Sequence, residues 1–548
     1  MKQQVLFFFF TLMLTGISVS AQTGGGRIAG VVIDNAGEEP LPGATIFIEE
    51  LKKGIVTDGH GEFLLSDVPA ATYTLTVRFI GYHTQTRKLT VGKERGKKII
   101  IRLKAEAKSL DEVVVMGKSE ARKLREQAMP ISVISMNQIQ GTVNNVQDIL
   151  AKTAGITVRA TGGTGSTSRI SVRGLEGKRI GLFIDGNPMN DNSDFIDIND
   201  IPVEMIDRIE IYKGVVPAKF GGSAVGGAVN IVTKEYPPKY LDVNYSYGSF
   251  NTHNASVVSK MNIAPKGIEF GLGGFYTYAD NDYKIKSPFQ EGLTITRDHD
   301  KFKKTVIGGS FKARKWWFDL VEFEPVFIHT YKDIQGIESN IRHAHSHSNA
   351  FIFANKMEKE NFLLDGLDLD WQLGYIYTDY HFADTASHRT HWDGTHYPAV
   401  SEFGGEIGKW ASLLTNEKHQ LQHKLNLNYL VNENHSVNFN SLLKYAHANP
   451  RDGMKDKVIG YRTDFPSNMF SWVAGLNYDY RTSNDKFLNS FNVKYYYYSM
   501  KTRMASVLVK TAEDIDTHKN DFGISNALRY RITPSLMAKA SFGYDVRL

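Results

Sequence analysis

Residues 367–377 read Leu-Asp-Leu-Asp-Trp-Gln-Leu-Gly-Tyr-Ile-Tyr, with an apolar or aromatic side chain at every odd position. Because successive side chains of a β-strand point to opposite faces, this stretch has one apolar face and one mostly polar face. The apolar face ends in two aromatic rings, Tyr375 and Tyr377. A strand of about ten residues with these properties is typical of a β-barrel that spans a membrane.

The same period of two recurs on both sides of this stretch. Apolar residues alternate with polar ones in residues 241–247, 268–272, 425–429 and 536–544. Short links at residues 265–267, 432–434 and 483–485 alternate with long polar loops. We count about 13 strands in residues 237–548, whereas a transporter barrel with a plugged lumen has about 22. The sequence therefore predicts the N-terminal part of an antiparallel transmembrane β-barrel, roughly 200 residues short of the closure that lipid requires.

The composition of the 548-residue chain excludes several classes of protein. Apolar residues make up 42% and charged residues 22%, which excludes a disordered chain. A net charge of +5, from 64 Lys and Arg against 59 Asp and Glu, is too small over this length to indicate nucleic-acid binding. Cysteine is absent, so disulfides, thiolate metal sites and cysteine nucleophiles are excluded. The sequence predicts a mainly β protein.

The first 21 residues have the pattern of a secretory signal peptide. Lys2 precedes an apolar run over residues 5–14, and residues 19–21 are Val-Ser-Ala. A cation, a short apolar stretch and small residues at the end predict cleavage after Ala21. Export removes the chain from the ATP and NAD(P)H of the cytoplasm, so we expect no soluble cofactor.

Residues 22–105 predict a small β-sandwich. Short alternating segments are separated by turns at residues 35–37, 57–61 and 69–71. The runs Pro-Leu-Pro-Gly-Ala at 40–44 and Thr-Asp-Gly-His-Gly-Glu-Phe at 57–63 resemble the carboxypeptidase regulatory-like domain. A basic stretch over residues 87–104 is interpreted as a solvated edge that prevents strand addition.

A linker over residues 106–119 contains Leu-Asp-Glu-Val-Val-Val-Met-Gly at 110–117. Three consecutive valines favour an extended strand, while the flanking residues are polar. Such a strand suits capture by another protein through strand addition. One more edge strand of the preceding sandwich remains the alternative on this segment alone.

Residues 120–236 predict a mixed α/β domain with an ordered series of motifs. The series includes Arg-Ile-Ser-Val-Arg-Gly at 169–174, Gly-Leu-Phe-Ile-Asp-Gly-Asn-Pro-Met at 181–189 and the glycine-rich run at 220–233. In this order the motifs resemble the plug domain of TonB-dependent outer-membrane transporters. The resemblance implies a plug inside the barrel and a location in the outer membrane of a Gram-negative bacterium, in contact with outer-membrane lipid.

The resemblance also implies the partner and the activity. It identifies the linker strand as the TonB box, which binds the energy-coupling protein TonB through Leu110, Asp111, Glu112, Val113, Val114 and Val115. It implies energised import of a scarce nutrient, and the leading candidates for this nutrient are ferric siderophores or other metal chelates. A glycan importer working with a surface lipoprotein, a non-transporting signalling receptor and a non-functional truncated fragment are the alternatives.

Charged residues of the plug segment form a predicted network where plug meets barrel. The candidates are Arg173, Glu204, Asp207, Arg208 and Glu210. Hydrated ion pairs break at modest cost, which suits a part that must shift. Ordinary surface charges are the alternative.

Histidines in two predicted loops are candidates for metal ligands. His343, His345 and His347 are spaced two apart, so an extended chain would point them to one face. A second loop holds His381, Asp384, His388, His391 and His396. Polar loop residues without a metal are the favoured interpretation. The sequence contains no catalytic motif, so we predict a protein that is not an enzyme.

Overall fold

The computed structural model describes residues 26–35, 38–79, 82–92, 98–104, 120–136, 146–160, 162–166, 168–189, 201, 203–221, 226–263, 267–314, 316–398, 404–408, 410–506, 509–534 and 536–545. The predicted signal peptide and the predicted TonB box lie outside these residues. The chain divides into two compact units, Met1–Gly117 and Lys118–Leu548.

The first unit is a sandwich of two sheets. Its strands are β1 (Gly26–Asp34), β2 (Thr45–Ile48), β3 (Lys53–Val56), β4 (Glu62–Val68), β5 (Thr72–Arg78), β6 (Gln85–Thr90) and β7 (Ile99–Leu103). One sheet has the order β4-β1-β7, with β7 parallel to β1, and the other has the order β3-β2-β5-β6. Fully buried apolar side chains from both sheets form one core, including Val32, Ile46, Leu75 and Leu103.

Two local features of this unit follow from its sequence. The Asp58 carboxylate accepts the backbone N–H groups of His60 and Glu62, both at 2.9 Å, and so closes the turn between β3 and β4. These hydrogen bonds lower the pKa of Asp58. Strand β6 lies at the edge of its sheet and exposes Arg87 and Lys88, as expected for a charged edge.

The second unit begins with the plug segment, residues 120–233. Its elements are α1 (Glu120–Arg125), β8 (Ile131–Ser135), α2 (Val146–Ala151), β9 (Ile156–Ala160), β10 (Ser168–Val172), β11 (Leu175–Glu176), β12 (Ile180–Ile184), β13 (Asn187–Pro188), β14 (Ile206–Tyr212) and β15 (Gly227–Thr233). Short 3₁₀ turns lie at Gly177–Arg179, Val203–Met205 and Ala218–Phe220.

Two sheets build the plug segment around one core. The larger has the order β13-β12-β15-β14-β8, with β12 parallel to β15, and the smaller has the order β11-β10-β9. Ile209 and Ile211 of β14 and Ile231 of β15 are fully buried, and they pack against helix α2 through Ile149 and Leu150. The mostly apolar sequence of β15, whose first five residues are all buried, fits a strand that is covered on both faces.

The rest of the unit is one antiparallel sheet of 13 strands, called the wall below. Its strands, with two loop hairpins and one loop helix, are β16 (Lys239–Gly248), β17 (Thr252–Ile263), β18 (Ile268–Ala279), hairpin β19 (Lys284–Lys286) and β20 (Thr294–Thr296), β21 (Phe302–Ala313), β22 (Leu320–Asp333), β23 (His345–Lys359), β24 (Leu367–Asp384), hairpin β25 (His388–Thr390) and β26 (His396–Pro398), β27 (Ser412–Asn432), β28 (His435–Asp452), α3 (Gly453–Ile459), β29 (Ser467–Arg481), β30 (Phe487–Ser506), β31 (Thr511–Arg531) and β32 (Met537–Tyr544).

The two ends and the two faces of the wall differ. The long connections that carry β19–β20, β25–β26 and α3 define the long-loop end, and the opposite end, with the turns β27–β28 and β29–β30, is the short-turn end. On β23 and β24, Phe351, Phe353 and Tyr375 are exposed while the alternate residues Ala350 and Gln372 are buried. We call the exposed set the outward face and the buried set, which contacts the plug segment, the inward face.

The predicted fold class is confirmed: a β-sandwich, an α/β plug and an antiparallel sheet with the expected number of strands. Within the described ranges, no helix has the length and the apolar character needed to cross a membrane.

Candidate functional site

The plug segment contains a charged network centred on Glu210, which is 3% exposed. Its carboxylate accepts hydrogen bonds from Arg208 Nε at 2.9 Å, from the Tyr212 hydroxyl at 2.9 Å and from Asn230 Nδ2 at 3.1 Å. Arg208 Nη1 also contacts Asp207 Oδ2 at 3.0 Å. Three of the five predicted network residues therefore lie together, because positions 208 and 210 share one face of β14.

Burial and charge act against each other in this network. Burial lowers the pKa of Arg208, but Glu210 and Asp207 outweigh it, so the net direction is upward. Burial, and next to it the Glu210 carboxylate, raises the pKa of Tyr212. The Arg208 guanidinium is thus held charged, and the Tyr212 phenol is held neutral as a hydrogen-bond donor.

The network reaches the wall through one backbone turn. Asn230 Oδ1 accepts the backbone N–H of Gly186 at 2.9 Å. The carbonyl oxygen of Gly186 in turn accepts a hydrogen bond from Lys424 Nζ of β27 at 2.7 Å. Lys424 is 4% exposed, so this contact is buried between plug and wall.

Arg173 does not join this network. It has a positive φ of 52° and lines a cavity of about 160 Å³ between plug and wall, together with Lys213, Lys494 and Asp545. Burial, and next to it the charge of Arg173, lowers the pKa of Lys213. The prediction for Arg173 is corrected because the turn after β10 carries it away from β14. The side chain of Glu204 lies outside the described residues.

At the short-turn end, four charged residues join plug and wall, and we call them the short-turn clamp: Glu126, Asp485, Arg529 and Arg531. Arg531 Nη2 lies 2.8 Å from Glu126 Oε2 and 2.9 Å from Asp485 Oδ2. Arg529 Nη1 donates to the carbonyl oxygen of Glu126 at 2.8 Å, and its Nη2 lies 2.5 Å from Asp485 Oδ1. Arg529 is only 2% exposed, so its charge depends on these partners.

Apolar contacts and a lysine surround the short-turn clamp. Ala128 of the plug is 2% exposed and packs with Leu488 of β30 and Ala527 of β31. Lys539 Nζ of β32 donates to the carbonyl oxygens of Arg125 at 2.6 Å and Met129 at 3.1 Å. The segment that directly follows the predicted TonB box is thus fixed to three wall strands and one short turn.

At the long-loop end, a plug loop is held by what we call the apical contact: Thr164, Gly165, Asn281, Phe302 and Lys332. The side-chain amide of Asn281 accepts the N–H of Thr164 at 3.0 Å and donates to its carbonyl oxygen at 2.9 Å. Lys332 Nζ donates to the carbonyl oxygen of Gly165 at 2.9 Å. A Cβ on Gly165 would lie 2.1 Å from the Phe302 ring, so only glycine fits there.

The predicted histidine cluster does not share one face. Strand β23 begins at His345, so His343 lies in the preceding turn, where its Nδ1 is 3.2 Å from Glu406 Oε1. His345 Nδ1 donates to the carbonyl oxygen of His343 at 2.9 Å, and His347 stacks on the His381 ring at 4.4 Å. The expectation fails at His343 because a distant carboxylate holds the turn.

Two buried carboxylates organise the long loops around these histidines. Glu406 accepts the backbone N–H groups of Arg342 at 3.1 Å and His343 at 2.9 Å. Asp384 in turn accepts the backbone N–H groups of Glu406 at 2.7 Å and Ile407 at 2.9 Å. These carboxylates act as loop caps.

The remaining histidines of the second loop lie on the β25–β26 hairpin. The rings of His388 and His396 are 4.2 Å apart, and His391 stacks on Tyr397 at 4.0 Å. Among the residues that the structure describes, no group of three or more His, Asp or Glu side chains is placed to hold a metal ion.

Sequence reasoning missed the residues that attach plug to wall. The partners of the short-turn clamp are separated by up to 405 positions, and those of Lys424 and Gly186 by 238. Two local signals were available in the sequence: Arg529 and Arg531 are spaced two apart, and Asp485 lies in the short link over residues 483–485.

Comparison with known families identifies two segments. Residues 28–115 match the family described as the CarboxypepD_reg-like domain. Residues 123–228 match the TonB-dependent Receptor Plug Domain. These are the sandwich with its following linker, and most of the plug segment.

Individual relatives agree with these matches. A TonB-dependent receptor of Formosa agariphila is 28% identical over 44% of this chain and 23% of its own length. The vitamin B12 transporter BtuB of Vibrio vulnificus is 25% identical over 47% of this chain and 43% of its own length. The chain thus spans less than half of the length of these relatives.

Solved structures share the fold at low sequence identity. The ferric citrate transporter FecA superposes with a TM-score of 0.57 at 14% identity, covering 78% of this chain and 64% of that one. The ferric yersiniabactin receptor FyuA of Yersinia pestis gives 0.55 at 11% identity, covering 76% and 64%. The chain is therefore similar to TonB-dependent receptors, and it carries a carboxypeptidase regulatory-like domain ahead of a TonB-dependent receptor plug domain.

Proposed function

We propose that the protein takes part in TonB-dependent import of an anionic metal chelate across the outer membrane. The observation that carries this proposal is the short-turn clamp together with the neighbouring contact of Lys539 with Arg125, because among the described residues these are the first attachments to the wall after the predicted TonB box. A pull on residues 110–115 would reach Arg125 and Glu126 before the other described contacts between plug and wall. The clamp uses side chains of the wall, so it can open without breaking the backbone hydrogen bonds between the wall strands.

The TonB box is tested by a single substitution. A strand that adds to a partner sheet needs its backbone N–H groups, and proline has none. Val114→Pro in a receptor that contains the whole barrel should abolish uptake of the bound ligand and leave ligand binding unchanged. Val114→Ile, which keeps the N–H, is the matched control and should transport normally. Normal uptake by Val114→Pro would contradict the assignment.

The ligand class is inferred from charge at the long-loop end. Lys304 of β21, Lys332 of β22 and Lys418 of β27 lie on the inward face of the wall, close to the long loops. Lys304 is 3% exposed, and Lys332 touches the plug loop directly. Lysines that line a narrow lumen attract anions. Structural neighbours include a ferric yersiniabactin uptake receptor and a ferric citrate transporter.

A charge reversal on one strand separates this ligand class from others. Lys304 faces inward and Lys303, its neighbour on β21, faces outward. Lys304→Glu should weaken binding of ferric citrate or of an anionic ferric siderophore about tenfold or more, whereas Lys303→Glu should leave it unchanged. Equal affinities for the two variants, measured by fluorescence quenching, would contradict an anionic ligand in the lumen.

A glycan importer that works with a surface lipoprotein is the alternative. Such a protein would use an exposed platform of aromatic rings. At the long-loop end, Trp392 Nε1 donates to the carbonyl oxygen of Ile337 at 2.9 Å, and Tyr397 stacks on His391. Their local contacts favour a role in loop packing.

A further inference from the structure

The cavity beside Arg173 is lined by groups that neither the charged network nor the short-turn clamp uses. Its volume is about 160 Å³, and it lies between the plug segment and the wall. The plug contributes Arg173 and Lys213, and the wall contributes Lys494 of β30 and Asp545, which directly follows β32. We call this space the seam cavity.

Small residues of the wall leave room for the seam cavity. Asn492 of β30, Ser525 of β31 and Gly543 of β32 are directly opposite one another across three neighbouring strands. One step further toward the long-loop end, Lys494 is directly opposite Gly523. Residues two apart on a strand share a face, so all five positions belong to the inward face. Glycine and serine at three of them leave space that longer side chains would fill.

The two plug cations are positioned by hydrogen bonds to the plug backbone. Arg173 follows β10, and its N–H donates to the carbonyl oxygen of Gly155 at 2.9 Å. Lys213 follows β14, and its N–H donates to the carbonyl oxygen of Pro130 at 3.1 Å. Its Nζ donates to the carbonyl oxygen of Ala154 at 2.8 Å. Loops from both plug sheets therefore bring a cation to the same cavity.

The charges around the seam cavity do not balance. Among its described lining residues, Arg173, Lys213 and Lys494 are basic, and Asp545 is the one acidic residue. The Asp545 carboxylate also accepts a hydrogen bond from the Tyr496 hydroxyl. Three cations against one carboxylate leave two positive charges. Cations that share a cavity repel one another, and an anion between them reverses this repulsion.

Asn492 is an independent observation that points to a polar ligand. Its side chain lines the cavity, and the residue is 3% exposed. Neither its Nδ2 nor its Oδ1 has a hydrogen-bond partner among the residues that the structure describes. Buried polar groups in native proteins nearly always have a partner. An oxyanion can accept from Nδ2, and water or a protonated ligand oxygen can donate to Oδ1.

The donors and the size of the cavity fit an oxyanion with several oxygens. The Arg173 guanidinium offers a planar fork of N–H groups, and the two lysines add ammonium groups, which form charge-assisted hydrogen bonds. The volume is well above the roughly 10–15 Å³ that holds one water, so it admits an ion of several heavy atoms. Ser541 and Gly543 line the cavity and are exposed, so a small ion can enter from solvent.

We propose that the seam cavity binds a multivalent oxyanion of the phosphate or polycarboxylate class, which bridges the two plug cations and Lys494 of the wall. The bridge attaches plug to wall on the long-loop side of the short-turn clamp. The proposal does not rest on the import of a metal chelate, because its residues take no part in the contacts that carry the proposed function.

The proposal is tested with the purified chain in a nonionic detergent, at an ionic strength held constant with sodium chloride. Phosphorus NMR follows the broadening of the inorganic phosphate signal, and proton NMR follows citrate. Arg173→Gln should weaken phosphate binding about tenfold or more, because it removes charge-assisted hydrogen bonds. Arg169→Gln is the matched control, since it removes an exposed arginine from β10 that does not line the cavity, and it should bind like the wild type.

A second variant separates binding from folding. Asn492→Leu keeps the size of the side chain and removes an amide without partners among the described residues. It should weaken phosphate binding severalfold without lowering the melting temperature in phosphate-free buffer. Displacement of phosphate by citrate would extend the site to polycarboxylates, and no displacement would confine it to phosphate.

Three results would overturn the proposal. The first is that neither phosphate nor citrate binds the wild-type chain. The second is an equal loss of binding in Arg173→Gln and Arg169→Gln, which would reflect the overall charge of the plug. The third is wild-type binding by both Arg173→Gln and Asn492→Leu, which would place the anion elsewhere.

Discussion

The plug segment is attached to the wall by buried ion pairs at the short-turn end and by neutral groups, a lysine and a close-packed glycine at the long-loop end. The short-turn clamp joins two carboxylates to two guanidinium groups. The apical contact joins the Asn281 amide and Lys332 to the backbone of one plug loop. The short-turn end, where a pull would arrive, is therefore held mainly by charge. The long-loop end, where a ligand would arrive, is held mainly by close packing.

The short-turn clamp and the apical contact should therefore be weakened by different kinds of substitution. Removing one member of a buried ion pair leaves a desolvated charge, which costs about 3–5 kcal/mol. Filling the space of a glycine costs about 1–3 kcal/mol in displaced side chains and backbone. We expect the short-turn clamp to respond sharply to charge and pH, and the apical contact to respond to volume.

Arg529→Ala should give the largest effect, because Asp485 and the Glu126 carbonyl oxygen lose a buried partner. The chain has no cysteine, so Ala128→Cys supplies a single thiol inside the contact. In the wild-type background this thiol should react slowly with a maleimide, and adding Arg529→Ala should accelerate labelling by about a hundredfold or more.

The control for this experiment is Arg503→Ala, which removes an exposed pair with Asp514 on the same wall. An exposed pair contributes about 0–1 kcal/mol, so labelling of Cys at position 128 should stay slow. Equal acceleration by the two alanine variants would show that the short-turn clamp has no special role.

Gly165→Ala should give the next largest effect, at the opposite end. Its Cβ would collide with the Phe302 ring, and its φ of +77° is unfavourable for alanine. Gly174→Ala is the matched control, with a φ of +83° and open space around the Cβ. Hydrogen exchange of residues 162–166 should increase in Gly165→Ala well beyond any change in Gly174→Ala. The same increase in both would assign the effect to backbone strain alone.

Lys539→Met should give a smaller effect of about 1 kcal/mol, because it removes two hydrogen bonds and keeps the apolar part of the side chain. Lys539 binds backbone carbonyl oxygens of the plug, so no carboxylate is left without a partner. In the Ala128→Cys background the labelling rate should rise by less than in Arg529→Ala. A larger rise would reverse the proposed ranking of the two contacts.

The pH dependence of Asp485 should give the smallest effect. Burial raises the pKa of Asp485, but hydrogen bonding to Arg529 and the charges of Arg529 and Arg531 outweigh it, so the pKa falls below its ordinary value of 3.8. The ionised carboxylate therefore stabilises the fold above pH 3.8, and this contribution is lost as the pH falls through the lowered pKa. The melting temperature of Asp485→Asn should lie below that of the wild type at pH 7 and approach it in acid. A difference in melting temperature that stays constant from pH 7 into acid would contradict the lowered pKa of Asp485.

The sequence predicts the parts of this structure that depend on neighbouring residues. The period of two in residues 367–377 predicted strand β24, and three of the residues predicted to form a charged network, Asp207, Arg208 and Glu210, do lie together. The short-turn clamp and the apical contact were not predicted, because they join residues more than a hundred positions apart. Arg173 was misplaced for a related reason: a tight turn with positive φ redirects it, and charge alone does not indicate direction.

The wall binds the plug mainly through the plug's backbone rather than through its side chains. Lys332, Lys424, Arg529 and Lys539 all donate to carbonyl oxygens, which every residue type possesses. Substitutions on the plug surface can therefore accumulate over generations without loosening these four anchor points, provided that the backbone path is kept. A plug grafted from a distant receptor onto this wall could accept the same four hydrogen bonds through its own backbone carbonyl oxygens.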